Sequence, residues 1–331
     1  MKEPCLLVGD IGGTNARFAH ANADVPGYSA EKTFKCRDYP TADLAINAYL
    51  QEINASQPAV ICIAAAGPIV DGSVRFTNNS WSLETTDLQR AFKGASVWLL
   101  NDFEAIAYSI PFLEAEDCLP VGLCPPTKLS NSDFTIGIVG PGTGLGAAGL
   151  FCRDGQLFPI TGEGGHIGFA PDNQVQMDIL MQLRDQHDRV SDERLASGPG
   201  IVNIYRALCH IHGESVANIK PAEIFQRASD DGNSTEAEAI QIFFEVLGQV
   251  AGNLALTIGA SDGVYLGGGI VSRNPDLIAN SRFRTGFERK GRHRSLMEKI
   301  PTQLILHEHP GLLGASYYAL RMLNKNGPGV S

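Results

Sequence analysis

Short apolar runs broken by glycine set the rhythm of this chain. Residues 5–8, CLLV, are apolar and stop at Gly9, which predicts a strand. Residues 9–19, GDIGGTNARFA, carry glycines at 9, 12 and 13, and apolar positions resume at Ala16, Phe18 and Ala19. The pattern there predicts strand, turn, strand. In residues 41–53, TADLAINAYLQEI, Leu44, Ala48 and Ile53 follow helical spacing, with Thr41 suited to an N-cap. Residues 59–72, AVICIAAAGPIVDG, read as a buried strand ending in turn signals. Residues 96–110, SVWLLNDFEAIAYSI, read as a strand, a break at Asn101-Asp102, then a helix. Residues 114–133 are rich in Pro, Ser, Asn and acids, and are expected to be a connection.

The second half opens as the first does. Residues 134–151, FTIGIVGPGTGLGAAGLF, give a strand, a glycine turn and a further extended apolar stretch. Val8-Gly9-Asp10 aligns with Val139-Gly140-Pro141, and both turns go on to a threonine, Thr14 and Thr143. This internal repeat predicts two related α/β lobes, each presenting one glycine turn. Residues 147–158 then predict a hairpin turning at Asp154-Gly155. Residues 236–259 form a long amphipathic helical pattern, and residues 262–271, DGVYLGGGIV, a strand running into a third glycine cluster. Residues 310–327 predict a closing helix, with Lys325 late and Gly327 past its end.

Composition narrows the class. The chain has 331 residues, 44% hydrophobic and 19% charged, with a formal net charge of -10 and a pI near 5.3. That is a globular composition with room for two domains, and its charge is ill suited to gripping a phosphate backbone. No nucleic-acid partner is expected. The dense basic cluster of Arg289, Lys290, Arg292 and Arg294 reads as a solvated surface turn, the other reading being a part in holding an anionic ligand. The start of the chain does not read as a signal peptide, and no uninterrupted apolar stretch reads as long enough to span a bilayer. The sequons at Asn54, Asn78 and Asn233 therefore carry no weight. Seven scattered cysteines without a C-x-x-C argue against a disulfide framework or a structural zinc site, and point to a reducing cytoplasm.

Three glycine clusters behind three apolar strands suggest a polyphosphate ligand, because close-approaching amides can form an anion-binding nest. Gly144-x-Gly146-x-x-Gly149 fits the dinucleotide fingerprint only formally, since a hairpin and not a helix follows it. No Gly-Lys-Ser/Thr occurs, so the Walker pattern fails too. The turns belong to a strand–turn–strand phosphate fold. Asp10 would repel phosphate unless a Mg²⁺ ion lay between them; the other reading is an Asx-turn residue. Asn101-Asp102 is either a helix cap or, at Asp102, a general base for phosphoryl transfer. Glu163 and His166, in the glycine-rich GEGGHIGFAP, suit recognition of sugar hydroxyls better than a helical metal site. Glu193 alone reads as a surface residue, and His307 and His309 as structural.

Taken in order, LVGDIGGTNARFA, TNNSW, NDFEAIA, GPGTGLGAAGL, GEGGHIGFAP, SGPGIVNIYRA, AGNLALTIGA, GGGIV and PGLLGA resemble the bacterial ATP-dependent glucokinase family over essentially the whole chain. The resemblance implies a two-lobed α/β fold of the actin/hexokinase type (ribonuclease H-like) with a cleft between the lobes. It implies a small domain of residues 1–112 completed by 307–331, and a large domain of residues 113–306. It implies phosphorylation of D-glucose at the 6-hydroxyl with ATP and Mg²⁺, in a cytoplasmic homodimer with no membrane partner. Gly9, Asp10, Ile11, Gly12, Gly13, Thr14 and Asn15 fall on the first phosphate loop, with Asp10 serving the metal ion through water. Gly142, Thr143 and Gly144, within residues 140–146, fall on the second loop, and Gly268 and Gly269 on the adenosine region. Asn101, Asp102, Glu163, His166 and Glu193 fall on glucose-contacting positions, Asp102 being the base, and Asn79 borders the sugar. The chain is also similar to the repressor/kinase (ROK) sugar kinases, but no cysteine follows His166 until Cys209 and no helix-turn-helix precedes the first loop. The rival readings are a kinase for another hexose, an ATP-driven module such as actin or Hsp70, and a non-catalytic glucose sensor.

Overall fold

The computed structural model describes residues 4–76, 79, 81–129 and 133–326. Asn78 and Gly327 lie outside the described residues. Two compact units emerge: Met1–Glu114 with His307–Ser331, and Ala115–Leu306.

The first unit begins with β1 (Leu6–Ile11), β2 (Asn15–Ala21) and β3 (Tyr28–Lys35), followed by α1 (Ala42–Glu52) and β4 (Val60–Ala65). A two-stranded pair, β5 (Ser73–Arg75) and β6 (Ser82–Glu84), leads through α2 (Thr85–Ala91) to β7 (Ser96–Asn101) and α3 (Asp102–Ser109). The main sheet runs β3-β2-β1-β4-β7. β1 pairs antiparallel with β2 and parallel with β4, and β4 is parallel to β7. Every residue of β4 is buried, as a central parallel strand covered on both faces requires. Phe18, Phe34 and Tyr49 pack their rings 5.8 to 6.4 Å apart in the core. Thr41 has the extended backbone of an N-cap, yet its side chain makes no cap hydrogen bond.

The second unit starts with β8 (Cys118–Pro120), which corrects the expectation of a plain connection over residues 114–133. These three residues pair antiparallel with residues 303–305 as a sheet edge, too short for periodicity to show. β9 (Phe134–Pro141), β10 (Leu145–Arg153) and β11 (Gln156–Gly162) form an antiparallel set. The β10–β11 hairpin turns through Asp154 and Gly155, both left-handed, as a two-residue Asp-Gly loop demands. Next come α4 (Gln174–Arg184), α5 (Gly198–His212), α6 (Pro221–Asp230) and α7 (Thr235–Ile258). β12 (Gly263–Leu266) follows, then the short helices α8 (Gly269–Ser272), α9 (Pro275–Ala279), α10 (Phe283–Glu288) and α11 (Arg294–Met297), and β13 (Thr302–Ile305). The sheet order is β11-β10-β9-β12-β13-β8. Three antiparallel strands followed by two parallel ones repeat the arrangement of the first sheet, which gives the faint sequence repeat a structural basis.

Three further expectations are corrected here. By length and composition α7 is apolar enough to cross a bilayer, but 78% of its most apolar window is buried in this unit, which makes it a core helix. The third glycine cluster leads into α8, so it is a strand–turn–helix and not a strand–turn–strand. The basic cluster is only partly solvated: Lys290 is half-buried and donates from Nζ to the Gln249 carbonyl at 3.1 Å, and Arg289 pairs with buried Glu245 at 3.1 Å. Burial pushes the Lys290 ammonium below its ordinary pKa.

α12 (Pro310–Asn326) returns to the first unit and packs on α3, β1 and β4. Tyr108 of α3 meets Tyr317 and Tyr318, each with ring centroids 5.5 Å away. His309, just before this helix, reaches Glu31 at 2.7 Å, and its backbone N–H donates to His307 Nδ1 at 3.1 Å. Phe18→Ala removes a fully buried ring from the aromatic core and is expected to cost about 3–5 kcal/mol of unfolding free energy, measured by urea denaturation. A cost below about 1 kcal/mol contradicts this packing.

Candidate functional site

Candidate residues of the first unit gather at the carboxyl ends of β1 and β7. Asp10 belongs to β1 and faces Arg17 across the ladder, with Oδ2 3.7 Å from the guanidinium. It is therefore a strand residue, and the turn proper covers residues 12–14. Gly12 N–H donates to Asn15 C=O at 3.0 Å and closes that turn. Ile11 is buried, whereas Thr14 is exposed at the apex and its carbonyl accepts from Cys36 N–H. Asn79 donates from Nδ2 to the Gly12 carbonyl at 3.5 Å, while its Oδ1 accepts from Trp81 N–H at 3.0 Å. The Asn79 amide thus braces the first turn. Burial raises the Asp10 pKa, partly offset by Arg17, so its carboxylate would gain from a cation.

Asn101 is the N-cap of α3. Its Oδ1 accepts from Phe103 N–H at 2.9 Å and Glu104 N–H at 3.3 Å, and its Nδ2 donates to Gly67 C=O, beyond β4, at 3.2 Å. Glu104 completes a capping box by accepting from Asn101 N–H at 3.4 Å. Asp102 is the first residue of the helix, and its Oδ1 accepts from Phe103 N–H at 3.0 Å. Cap and carboxylate are thus both present, on adjacent residues. Glu104 escaped the sequence reading, although N-x-x-E before an apolar run is the capping-box signal.

The second unit holds the other candidates. Gly142 N–H donates to Gly144 C=O at 2.8 Å, and Thr143 is exposed at the apex as Thr14 is in the first turn. Gly268 has φ +89, and a Cβ there would lie 2.6 Å from the Pro141 carbonyl, so only glycine fits beside the second turn. Gly269 follows, exposed, at the start of α8. Glu163 and His166 flank a single 3-10 turn after β11. His166 lies between two carboxylates: Nε2 is 4.0 Å from Glu163 Oε2, and Nδ1 is 4.0 Å from Glu193 Oε1. Glu193 is no plain surface residue; its Oε2 accepts from Leu145 N–H at 2.9 Å. This arrangement offers acceptors and an imidazole to a polyhydroxylated ligand.

Beside Glu193, Asp192 is 6% exposed and its pKa is pushed up to about 7 by burial, with Lys290 and Arg189 acting against the rise. The folded chain holds this proton until about pH 7, whereas an ordinary aspartate releases it near 3.8. Between those values the folded state binds more protons than the unfolded one, so this group's contribution to stability is lost as pH rises. Asp192→Asn is therefore expected to gain thermal stability relative to the parent at pH 8 and to lose that advantage toward pH 4. A melting-temperature difference that stays constant across this range contradicts the assignment.

A family model described as Glucokinase matches residues 7–322. A glucokinase of Cronobacter sakazakii is 40% identical over 319 residues, spanning 96% of this chain and 98% of that protein. A crystal structure of glucokinase from an Antarctic psychrotroph is 31% identical, with a TM-score of 0.87 over 97% of this chain and 100% of the other. A ROK family glucokinase from Streptomyces griseus, in complex with glucose and AMPPNP, shares the fold at 20% identity and a TM-score of 0.63, covering 96% of this chain and 99% of the other. A match across nearly the whole chain, together with a shared α/β fold of the actin/hexokinase class, has one consequence: the chain belongs to the glucokinase family.

Proposed function

We propose that this chain transfers the γ-phosphoryl group of ATP to the 6-hydroxyl of D-glucose, with Asp102 as general base. The observation that carries the reading is the placement of Asp102. A carboxylate on the first turn of α3, behind an apolar strand, is held by the Asn101–Glu104 capping box and by Phe103 N–H. Such a group can orient a sugar hydroxyl and take its proton as the new O–P bond forms. Phosphoryl transfer otherwise asks for positioning and charge stabilisation.

The two glycine turns supply the positioning. Gly12 and Gly142 spend their amides closing the turns, so the residues at each apex are those that meet phosphate. Gly268 and Gly269 stand where the resemblance puts the adenosine. Asp10 would hold Mg²⁺ through water, as a carboxylate whose burial a cation would offset. When bound, Mg²⁺ supplies neutralisation of phosphate charge. Glu163, His166 and Glu193 accept from and donate to the other sugar hydroxyls, with Asn101 and Asn79 acting mainly as braces. A homodimer in a cytoplasmic setting belongs to the same reading; the first follows the family resemblance, and the second suits seven free thiols, five of them buried.

Asp102→Asn is expected to lower kcat by about 10²–10⁴-fold while glucose KM changes only a few-fold, in a coupled assay of ADP formation. Near-normal turnover would falsify the base assignment.

A further inference from the structure

Residues 189–200 connect the segment carrying Glu163 and His166 with the glycine turn at 142–144. At one end Arg189 donates to the His166 carbonyl at 2.7 Å, and Asp192 N–H donates to the Ile167 carbonyl at 2.9 Å. At the other end Gly198 N–H donates to the Gly142 carbonyl at 2.9 Å. Ser197 stiffens the span: its hydroxyl donates to the Glu193 carbonyl at 2.7 Å and accepts from Gly200 N–H at 3.1 Å. Midway, the Glu193 carboxylate turns toward both ends. Oε1 lies 4.0 Å from His166, and Oε2 accepts from Leu145 N–H at 2.9 Å. Leu145 begins the strand that leaves the turn, and Gly165 packs on its backbone so tightly that a Cβ at 165 would lie 2.1 Å from the Leu145 carbonyl. A Cβ on Gly144 would come 2.5 Å from Glu193 Oε2.

We propose that Glu193 is a positioning residue for the second phosphate turn, in addition to any contact it makes with sugar. Its carboxylate fixes the Leu145 peptide and so sets the shape of residues 142–144 before sugar arrives. A sugar that engages His166 and Glu193 then acts on a group already bonded to the nucleotide turn, which couples the two ligands energetically. A charge-assisted hydrogen bond to a backbone amide in a partly buried setting is strong enough to matter. Gly144 is glycine for the same reason, since any side chain there would displace the carboxylate.

The inference rests on residues 142–144 binding nucleotide, so the test reads nucleotide binding alone. AMPPNP with Mg²⁺ is titrated calorimetrically into the sugar-free full-length chain. Glu193→Ala is expected to weaken AMPPNP binding about tenfold, and Glu193→Gln, which keeps an acceptor, to weaken it less. Glu163→Ala, which removes a sugar-side carboxylate not bonded to the turn, is expected to leave this affinity within about twofold of the parent. Gly144→Ala is expected to weaken binding in the parent but to cost little more in the Glu193→Ala background, because the displaced carboxylate is gone. Unchanged AMPPNP affinity in Glu193→Ala overturns the proposal, as does an equal cost of Gly144→Ala in both backgrounds. Circular dichroism of each variant confirms a folded sample. Should the parent bind no AMPPNP while still phosphorylating glucose from another donor, the nucleotide reading fails and this proposal with it.

Discussion

Burial of the central parallel strands is the constraint on which everything else depends. β4 and β12 are buried at every position, and β9 at all but one. A strand with no solvent-facing side can present chemistry only where it ends, and in open α/β sheets ligands meet the carboxyl ends. The candidate groups obey this. The first turn follows β1, Asp102 follows β7, the second turn follows β9, and Gly268 follows β12. Gly67, beyond β4, contributes the carbonyl that holds Asn101. Sheet topology therefore selects the positions, and local hydrogen bonds then aim the side chains.

Aiming is done by groups that also have other work. Asn101 caps a helix, and in doing so fixes the residue after it. Asn79 braces the first turn through Gly12, and Glu193 braces the second through Leu145. Each unit thus holds its glycine turn with a polar side chain from a distant part of the sequence. Glycine turns are conformationally permissive, so a phosphate cradle built from them needs such braces to be preorganised.

Much of this was legible in the sequence, for identifiable reasons. The strand–turn–strand units show because apolar runs end sharply at glycine, and the repeat shows because Val8-Gly9-Asp10 and Val139-Gly140-Pro141 keep the same order. The Asp154-Gly155 hairpin is local chemistry, and local chemistry is readable. β8 was missed because three residues have no period and owe their strand to β13. The burial of Lys290 depends on the packing of α7 against the segment after α10. The bond from Glu193 to Leu145 joins residues 48 apart in sequence, and no spacing rule announces it. The capping role of Glu104 is local chemistry as well, since N-x-x-E ahead of an apolar run is the spacing of a capping box.

The central claim is that this chain is a sugar kinase acting on glucose with ATP. The most direct measurement is ADP formation from ATP and Mg²⁺ in the presence of glucose, fructose, mannose or N-acetylglucosamine in turn. The account predicts rapid ADP formation with glucose, accompanied by glucose 6-phosphate, and far slower formation with the others. ADP formation that is indifferent to sugar, or absent with all four, would contradict it.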